Sequence, residues 1–120
     1  MSLLVASAVL AIATQGAPPA DVAFEELAAN RNQAAISALE ADRSIERDDP
    51  ARMINLGIAY AREGREADAR RLFRAAAQGD APVRLEVAGG DWIDSRELAR
   101  RALRMLERGE FAPTSRMTMR

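Results

Sequence analysis

The apolar positions between Asp49 and Asp80 follow two helical repeats separated by a glycine. In each half, apolar or small residues recur every three or four positions, a spacing that places them on one face of a helix. These positions are Met53, Leu56, Gly57 and Tyr60 in the first half and Ala69, Leu72, Phe73 and Ala76 in the second. The pattern therefore predicts two amphipathic helices in succession.

The polar residues at the ends of these runs predict where each helix begins and stops. Asp49 followed by Pro50 is a typical helix start, because the carboxylate accepts from free N–H groups and proline needs no partner there. Gly64 interrupts the pattern, and Glu66 and Asp68 then place negative charge where the dipole of a second helix favours it. We expect a helical hairpin with its turn near Gly64.

Gly57 indicates how closely the two helices approach each other. A glycine inside a helix costs about 1 kcal/mol relative to alanine, so its presence points to a packing reason. We expect the backbones to come close together at Gly57, with Tyr60 and Phe73 filling the space at the ends of the contact.

The hairpin resembles the tetratricopeptide repeat, a unit of roughly 34 residues. The one good copy covers about residues 50–83, and Pro82 falls one position later than the closing proline of the family pattern. The resemblance implies a stack of antiparallel helix pairs that binds other proteins. The matching positions are Met53, Leu56, Gly57, Tyr60, Gly64, Ala69, Phe73 and Ala76.

A weaker copy of the same pattern precedes the hairpin. Asp21 predicts the cap of a short helix that ends near Asn30, and a second helix is expected from Asn32 through Leu39 towards Ile45. Shifted by about 34 positions, Ala35, Leu39 and Asn30 superpose on Ala69, Phe73 and Gly64. The copy is degenerate, since Glu26 stands in the place of Tyr60.

A short β-hairpin and a terminal helix are expected after the good copy. Residues 83–87 alternate apolar and charged side chains, residues 88–91 have turn chemistry, and Trp92 resumes an apolar run that we expect to be buried against the helices. Asp94 and Glu97 predict a capping box for a helix that ends at Gly109, which would close the stack. The expected fold is all-α, a helix-pair stack over residues 21–110 with a small β-hairpin before the last helix.

The N-terminal residues 1–13 form an apolar run that ends in the small-x-small pattern Ala11-Ile12-Ala13. This is typical of a secretory signal peptide, and the run is shorter than the about 20 residues that span a bilayer. No basic residue precedes it, so a buried first helix and a start codon assigned too far downstream are alternatives. We expect a periplasmic or secreted protein without a stable membrane span, a flexible lead-in over residues 14–20 and a disordered tail over residues 111–120.

The composition narrows the chemistry. The chain has 120 residues, a net charge of −1, 48% hydrophobic but only 4% aromatic residues, and neither cysteine nor histidine. These absences remove thiols, disulfides, the usual zinc ligands and the commonest general base, and the serines have no histidine to activate them. We expect no catalytic, metal or cofactor site and no enzyme; an enzyme that uses only carboxylates remains an alternative.

Charge is distributed unevenly along the chain. Four arginines lie four apart on the terminal helix with Arg101 beside them, and residues 21–50 carry eight acidic and three basic side chains, a net of −5. The arginine stripe is expected to be a solvated face, with Glu97 paired to Arg101, and no aromatic residues are interleaved for nucleic-acid binding. The uneven charge is expected to serve solubility, and head-to-tail self-association of the acidic and basic ends is the alternative. The stripe comprises Arg96, Arg100, Arg104 and Arg108.

The tetratricopeptide resemblance also implies where a partner would bind. In that family the first helix of each pair lines a concave groove, which here would hold an apolar floor suited to an amphipathic or extended segment of a protein partner. The alternative is that the preceding helix pair buries these side chains. The implied groove residues are Ile54, Asn55, Ile58, Ala61 and Arg62. The expected function is an exported protein–protein interaction adaptor, with a non-binding structural or self-associating helical protein as the alternative.

Overall fold

The computed structural model describes residues 11–14 and 23–111. The described chain is predominantly helical with a small antiparallel sheet, so the helical character and the β-hairpin before the last helix are confirmed. In chain order the elements are β1 Ala11–Thr14, α1 Phe24–Ala28, α2 Asn32–Ala41, α3 Pro50–Arg62, α4 Glu66–Ala77, β2 Arg84–Val87, β3 Trp92–Asp94 and α5 Ser95–Glu107.

The hairpin of α3 and α4 forms as its sequence signals predict. The Asp49 carboxylate caps α3 by accepting from the backbone N–H of Arg52 at 2.9 Å, and Pro50 is the first helical residue. Gly57 faces Phe73 so closely that a Cβ atom at Gly57 would lie 2.6 Å from Cε1 of the Phe73 ring. The glycine therefore permits the close approach that the pattern predicts.

Three of the helices end in the same turn, in which a residue with positive φ follows the last helical turn. Asn30, Gly64 and Gly109 have φ values of 63°, 84° and 71°. In each case the next backbone N–H donates to the carbonyl five residues earlier, an arrangement that satisfies carbonyls left free at a helix end. The helices α2 and α4 also begin 34 positions apart, at residues 32 and 66.

The two helices before the hairpin are shorter than predicted. The cap of α1 is Ala23, in the left-handed region at φ 63°, whereas the predicted cap Asp21 lies outside the described residues. The expected extension of α2 towards Ile45 is wrong, because α2 ends at Ala41. The Asp42 carboxylate accepts from the backbone N–H of Ser44 at 2.8 Å and from its hydroxyl at 2.6 Å, a local turn that competes with further helix.

The sheet has three strands in the order β1-β2-β3, all antiparallel. The sequence predicts β2 and β3 but not β1, which pairs Ala11 with Val87 and Thr14 with Leu85 around an irregularity. Residues 11–13 of this strand belong to the predicted signal peptide, and the other residues of that peptide lie outside the described chain. The sheet is tied to α5 by Ser95, whose N–H donates to the Val83 carbonyl at 2.8 Å and whose hydroxyl accepts from the Val83 N–H at 3.1 Å.

The helix α3 is the centre of the core. All residues from Ala51 to Ala61 are buried, because α2, α4, α5 and β1 all pack against this helix. Phe73 is fully buried behind Gly57, and Phe111 covers it with a ring centroid 6.1 Å away. Phe111 itself is buried and so does not begin a loose tail, whereas residues 112–120 lie outside the described chain.

The environment of Trp92 differs from the prediction. Its side chain is 38% exposed on the outer strand of the hairpin instead of being buried against the helices. Leu85 and Val87 on β2 point to the core instead and are fully covered. Because side chains alternate between the two faces of a strand, the hairpin fills its core face with these two residues and leaves the indole outside.

The cap of α5 is confirmed in part. The Asp94 carboxylate accepts from the backbone N–H of Arg96 at 2.8 Å, as expected of a capping residue. Glu97 is engaged by arginine side chains further along the helix, so the reciprocal half of the predicted capping box is replaced by ion pairs. Within residues 11–14 and 23–111, no helix is long and apolar enough to cross a membrane.

Candidate functional site

The residues predicted to line a groove on α3 lie in the core. Ile54, Asn55 and Ile58 have no exposed surface, and Ala61 is 3% exposed. The expectation of an exposed floor is wrong because α3 is covered on several sides, by helices before and after it and by β1. The alternative considered for this face, burial by the rest of the stack, is the one that the structure adopts.

Arg62, the fifth predicted groove residue, holds neighbouring helices together. Its Nη1 donates to the Leu27 carbonyl at the end of α1 at 2.9 Å and to Oδ1 of Asn32 at the start of α2 at 3.3 Å. Burial lowers the pKa of this guanidinium below its ordinary value. Both donors of Nη1 therefore serve the packing of α1 and α2 on α3.

The arginine stripe on α5 is exposed and balanced by neighbouring carboxylates. Arg100 lies 3.2 Å and Arg104 3.9 Å from Glu97, so the predicted pair of Glu97 with Arg101 is replaced by these two. Arg96 and Arg108 likewise have carboxylates of Asp94 and Glu110 within 3.7 Å and 3.3 Å. The stripe is the solvated face that the sequence predicts.

A different surface brings several arginines and carboxylates together around two cavities. Two open cavities, of about 300 Å³ and 400 Å³, adjoin along the loop between α2 and α3 and share Glu40, Arg47 and Arg52 in their walls. The larger one continues over Leu56 to α4, where Arg71 and Leu72 form its far side. We call this continuous depression the arginine trough. Its walls combine charged side chains with an apolar base.

Arg52 is the most unusual residue of the trough. Its side chain is only 6% exposed, and Nη1 donates to the backbone carbonyl of Arg47 at 3.1 Å. Arg52 forms no ion pair with another described residue. Every fully buried side-chain nitrogen in the described chain has a hydrogen-bond partner. Arg52 also lines both cavities of the trough. A buried guanidinium that faces a cavity is a natural anchor for an anion.

Tyr60 and Glu40 form a second polar contact in the wall of the trough. The Tyr60 hydroxyl donates to the Glu40 carboxylate, and the guanidinium of Arg65 lies over the Tyr60 ring, 4.3 Å from its centroid. Burial, together with this hydrogen bond, raises the pKa of the Tyr60 hydroxyl above its ordinary value. The hydroxyl therefore stays protonated and holds Glu40 at one side of the trough.

The sequence contains a signal for this site that the pattern of apolar residues hides. Arg52, Leu56 and Tyr60 are spaced four apart, so the arginine lies in line with two residues of the repeat signature. An arginine in a stripe of buried residues indicates a charge held at the edge of the core. The contribution of Arg47 and Arg71 depends on the folded loop and on α4, which spacing along one helix does not reveal.

Among the residues that the structure describes, no group of three or more carboxylates is arranged to hold a metal ion. Comparisons of the chain with protein-family models, with curated proteins and with solved structures found no match. The case for a function therefore depends on the surfaces of this chain alone.

Proposed function

We propose that this chain is an exported protein–protein interaction adaptor of the tetratricopeptide type, which binds a segment of a partner protein in the arginine trough. The observation that carries the proposal is the trough itself, an open depression that is already formed in the free chain. Its two cavities have volumes of about 300 Å³ and 400 Å³, and the lining of the larger one includes Leu56 and Leu72 beside charged side chains. Concave sites with an apolar base and a few polar groups are typical binding sites.

The repeat geometry supports the tetratricopeptide part of the proposal. The helices α2 and α4 start 34 positions apart, and the turns before them share a residue with positive φ, Asn30 in one and Gly64 in the other. Close contact between Gly57 and Phe73 supplies the packing that the family signature implies. Export is proposed from the apolar run and the small-x-small pattern of residues 1–13.

Site-specific photocrosslinking in the native host tests the proposal. A photoreactive phenylalanine analogue replaces Ser44, an exposed residue in the wall of the trough, and in a control chain it replaces Glu107, an exposed residue on α5 outside the trough. We expect one reproducible covalent product with another protein from position 44 and none from position 107. Absence of any product at position 44 contradicts the proposal, and a covalent dimer of the chain itself supports the self-associating alternative.

A further inference from the structure

Two arginines that form no ion pair with a described residue, Arg47 and Arg52, are the feature of the trough that points to the chemistry of its ligand. Most exposed arginines for which a contact is described have a carboxylate nearby, such as Arg71, which lies 3.0 Å from Asp68. Neither Arg47 nor Arg52 forms an ion pair within residues 23–111. Both residues line both cavities, so they lie beside the same open volume.

Burial makes the charge of Arg52 matter more than that of a surface arginine. A charge shielded from water interacts more strongly with an opposite charge, and leaving a buried charge without one is unfavourable. Arg52 is 6% exposed and has only the carbonyl of Arg47 as a side-chain partner. An anion placed in the trough would supply the missing partner, and the planar guanidinium could hold a carboxylate through two parallel N–H groups.

The carboxylates that line the trough do not act as the anionic partner of Arg52. Glu40 accepts from the Tyr60 hydroxyl, and Asp42 accepts from the backbone and the hydroxyl of Ser44. Glu46 lies in the wall of the smaller cavity but forms no ion pair with Arg52. The walls of the trough therefore contain acids as well as arginines, but none of these acids forms an ion pair with Arg52.

We propose that the trough binds an acidic peptide segment, with one carboxylate of that segment held by Arg52 and Arg47 and an adjacent apolar side chain on Leu56 and Leu72. This inference rests on the proposed function and specifies its ligand. A peptide is favoured over a small anion because the two cavities share three lining residues and the larger one also includes Leu56 and Leu72, which an apolar side chain could contact. A phosphate ion would contact the arginines but not these two leucines.

Selection from a random-peptide phage library on the full chain tests this inference without a known partner. We expect the enriched peptides to share an aspartate or glutamate next to a large apolar residue. Enriched peptides without acidic residues overturn the inference but leave a peptide-binding adaptor standing. If no peptide is enriched, the inference is overturned, and the photocrosslink at position 44 decides separately whether the adaptor proposal survives.

Binding of the most enriched peptide, measured by fluorescence polarisation, then assigns the contacts. Arg52→Met keeps the packing of the aliphatic stem but removes the charge, and we expect about ten- to hundredfold weaker binding. Arg47→Gln changes an exposed side chain, so it tests the same charge even if Arg52→Met does not fold. Arg104→Gln removes an arginine outside the trough and is expected to leave binding unchanged.

Removal of a negative charge from the trough should have the opposite effect on binding. Glu40→Gln keeps an acceptor for the Tyr60 hydroxyl but removes a negative charge from the trough, so we expect about two- to fivefold tighter binding. Unchanged affinity in both arginine variants overturns the inference. The inference is also overturned if inorganic phosphate displaces the peptide and binds the same two arginines as tightly as the peptide does. The ligand would then be a small anion.

Discussion

The contact between Gly57 and the Phe73 ring determines how tightly α3 and α4 pack. A methyl group at Gly57 would lie 2.6 Å from one ring carbon and 2.9 Å from the next. Phe73 is fully buried and Phe111 lies beside it, so any shift of the ring must displace other core residues. In an exposed helix the same change would gain about 1 kcal/mol, so the two effects have opposite signs.

We predict that Gly57→Ala destabilises the fold by about 1–3 kcal/mol, because overpacking against a fixed ring outweighs the gain in helix propensity. Gly79→Ala is the matched control, since a Cβ atom there would meet its nearest neighbour, the Ala76 carbonyl, at an ordinary 3.6 Å. Chemical denaturation followed by circular dichroism measures both variants. Equal stability of Gly57→Ala and the parent chain would show that the two helices are not in close contact at Gly57.

Tyr60 offers a second test, because it is the single tyrosine of the chain and its ionisation can be followed by ultraviolet absorbance. Burial, followed by the hydrogen bond to Glu40, raises its pKa above 10.0 in the folded protein. The folded pKa then exceeds the unfolded one, so the associated stability is present below about pH 10 and is lost as pH rises through the folded pKa.

We therefore predict that Tyr60 ionises at a higher pH in the folded chain than in the chain unfolded by denaturant. Glu40→Gln should lower the folded pKa without bringing it to the unfolded value, because burial is the larger cause. Identical titration curves for the folded and unfolded chains would mean that the hydroxyl is open to solvent and that the Tyr60–Glu40 contact is absent.

The helix α3 carries the largest share of the core, and this explains why the predicted groove does not exist. A helix that packs on a single layer buries only one face and leaves the other exposed. In contrast, α3 packs against α2, α4, α5 and β1. Its isoleucines at positions 54 and 58 are therefore as fully covered as Leu27 on α1 or Leu98 on α5. The helix α3 is therefore the central helix of the hydrophobic core.

We predict that Ile58→Glu unfolds the chain or lowers its melting temperature sharply. A buried carboxylate without a partner costs several kcal/mol, which is comparable with the whole stability of a small domain, about 5–15 kcal/mol. Ala34→Glu introduces the same charge at an exposed position of α2 and should leave the melting temperature nearly unchanged. A stable Ile58→Glu protein would show that this face of α3 is exposed and could bind a partner.

Across the whole molecule, features set by neighbours in sequence could be predicted and features set by distant contacts could not. Asp49 as a helix cap and Gly64 as a turn depend on a few adjacent residues, and both are found where expected. Burial of Ile58 and exposure of Trp92 depend on which elements lie alongside, information that a single helix or strand pattern does not contain. The arginine trough is missed for the same reason, since Arg47, Arg52 and Arg71 come from a loop and two helices.

The N-terminus connects the proposed export to the sheet. A signal peptide cleaved after Ala13 would remove three of the four residues of β1, so the exported protein would have β2 as an outer strand. The pairing that is lost is short, with an irregularity between its two registered pairs. Each hydrogen bond in such a ladder contributes about 0.5–1.5 kcal/mol net, so losing a few of them is compatible with a stable fold.

We predict that the protein isolated from its native host begins at Thr14, as mass spectrometry of the intact chain and of its N-terminal peptide would determine. A recombinant chain that begins at Thr14 should remain folded, with a melting temperature lower than that of the full chain by several degrees, because β1 no longer covers the edge of β2. Recovery of the full chain from the cytoplasm would contradict export. In that case β1 would be a permanent strand of the domain.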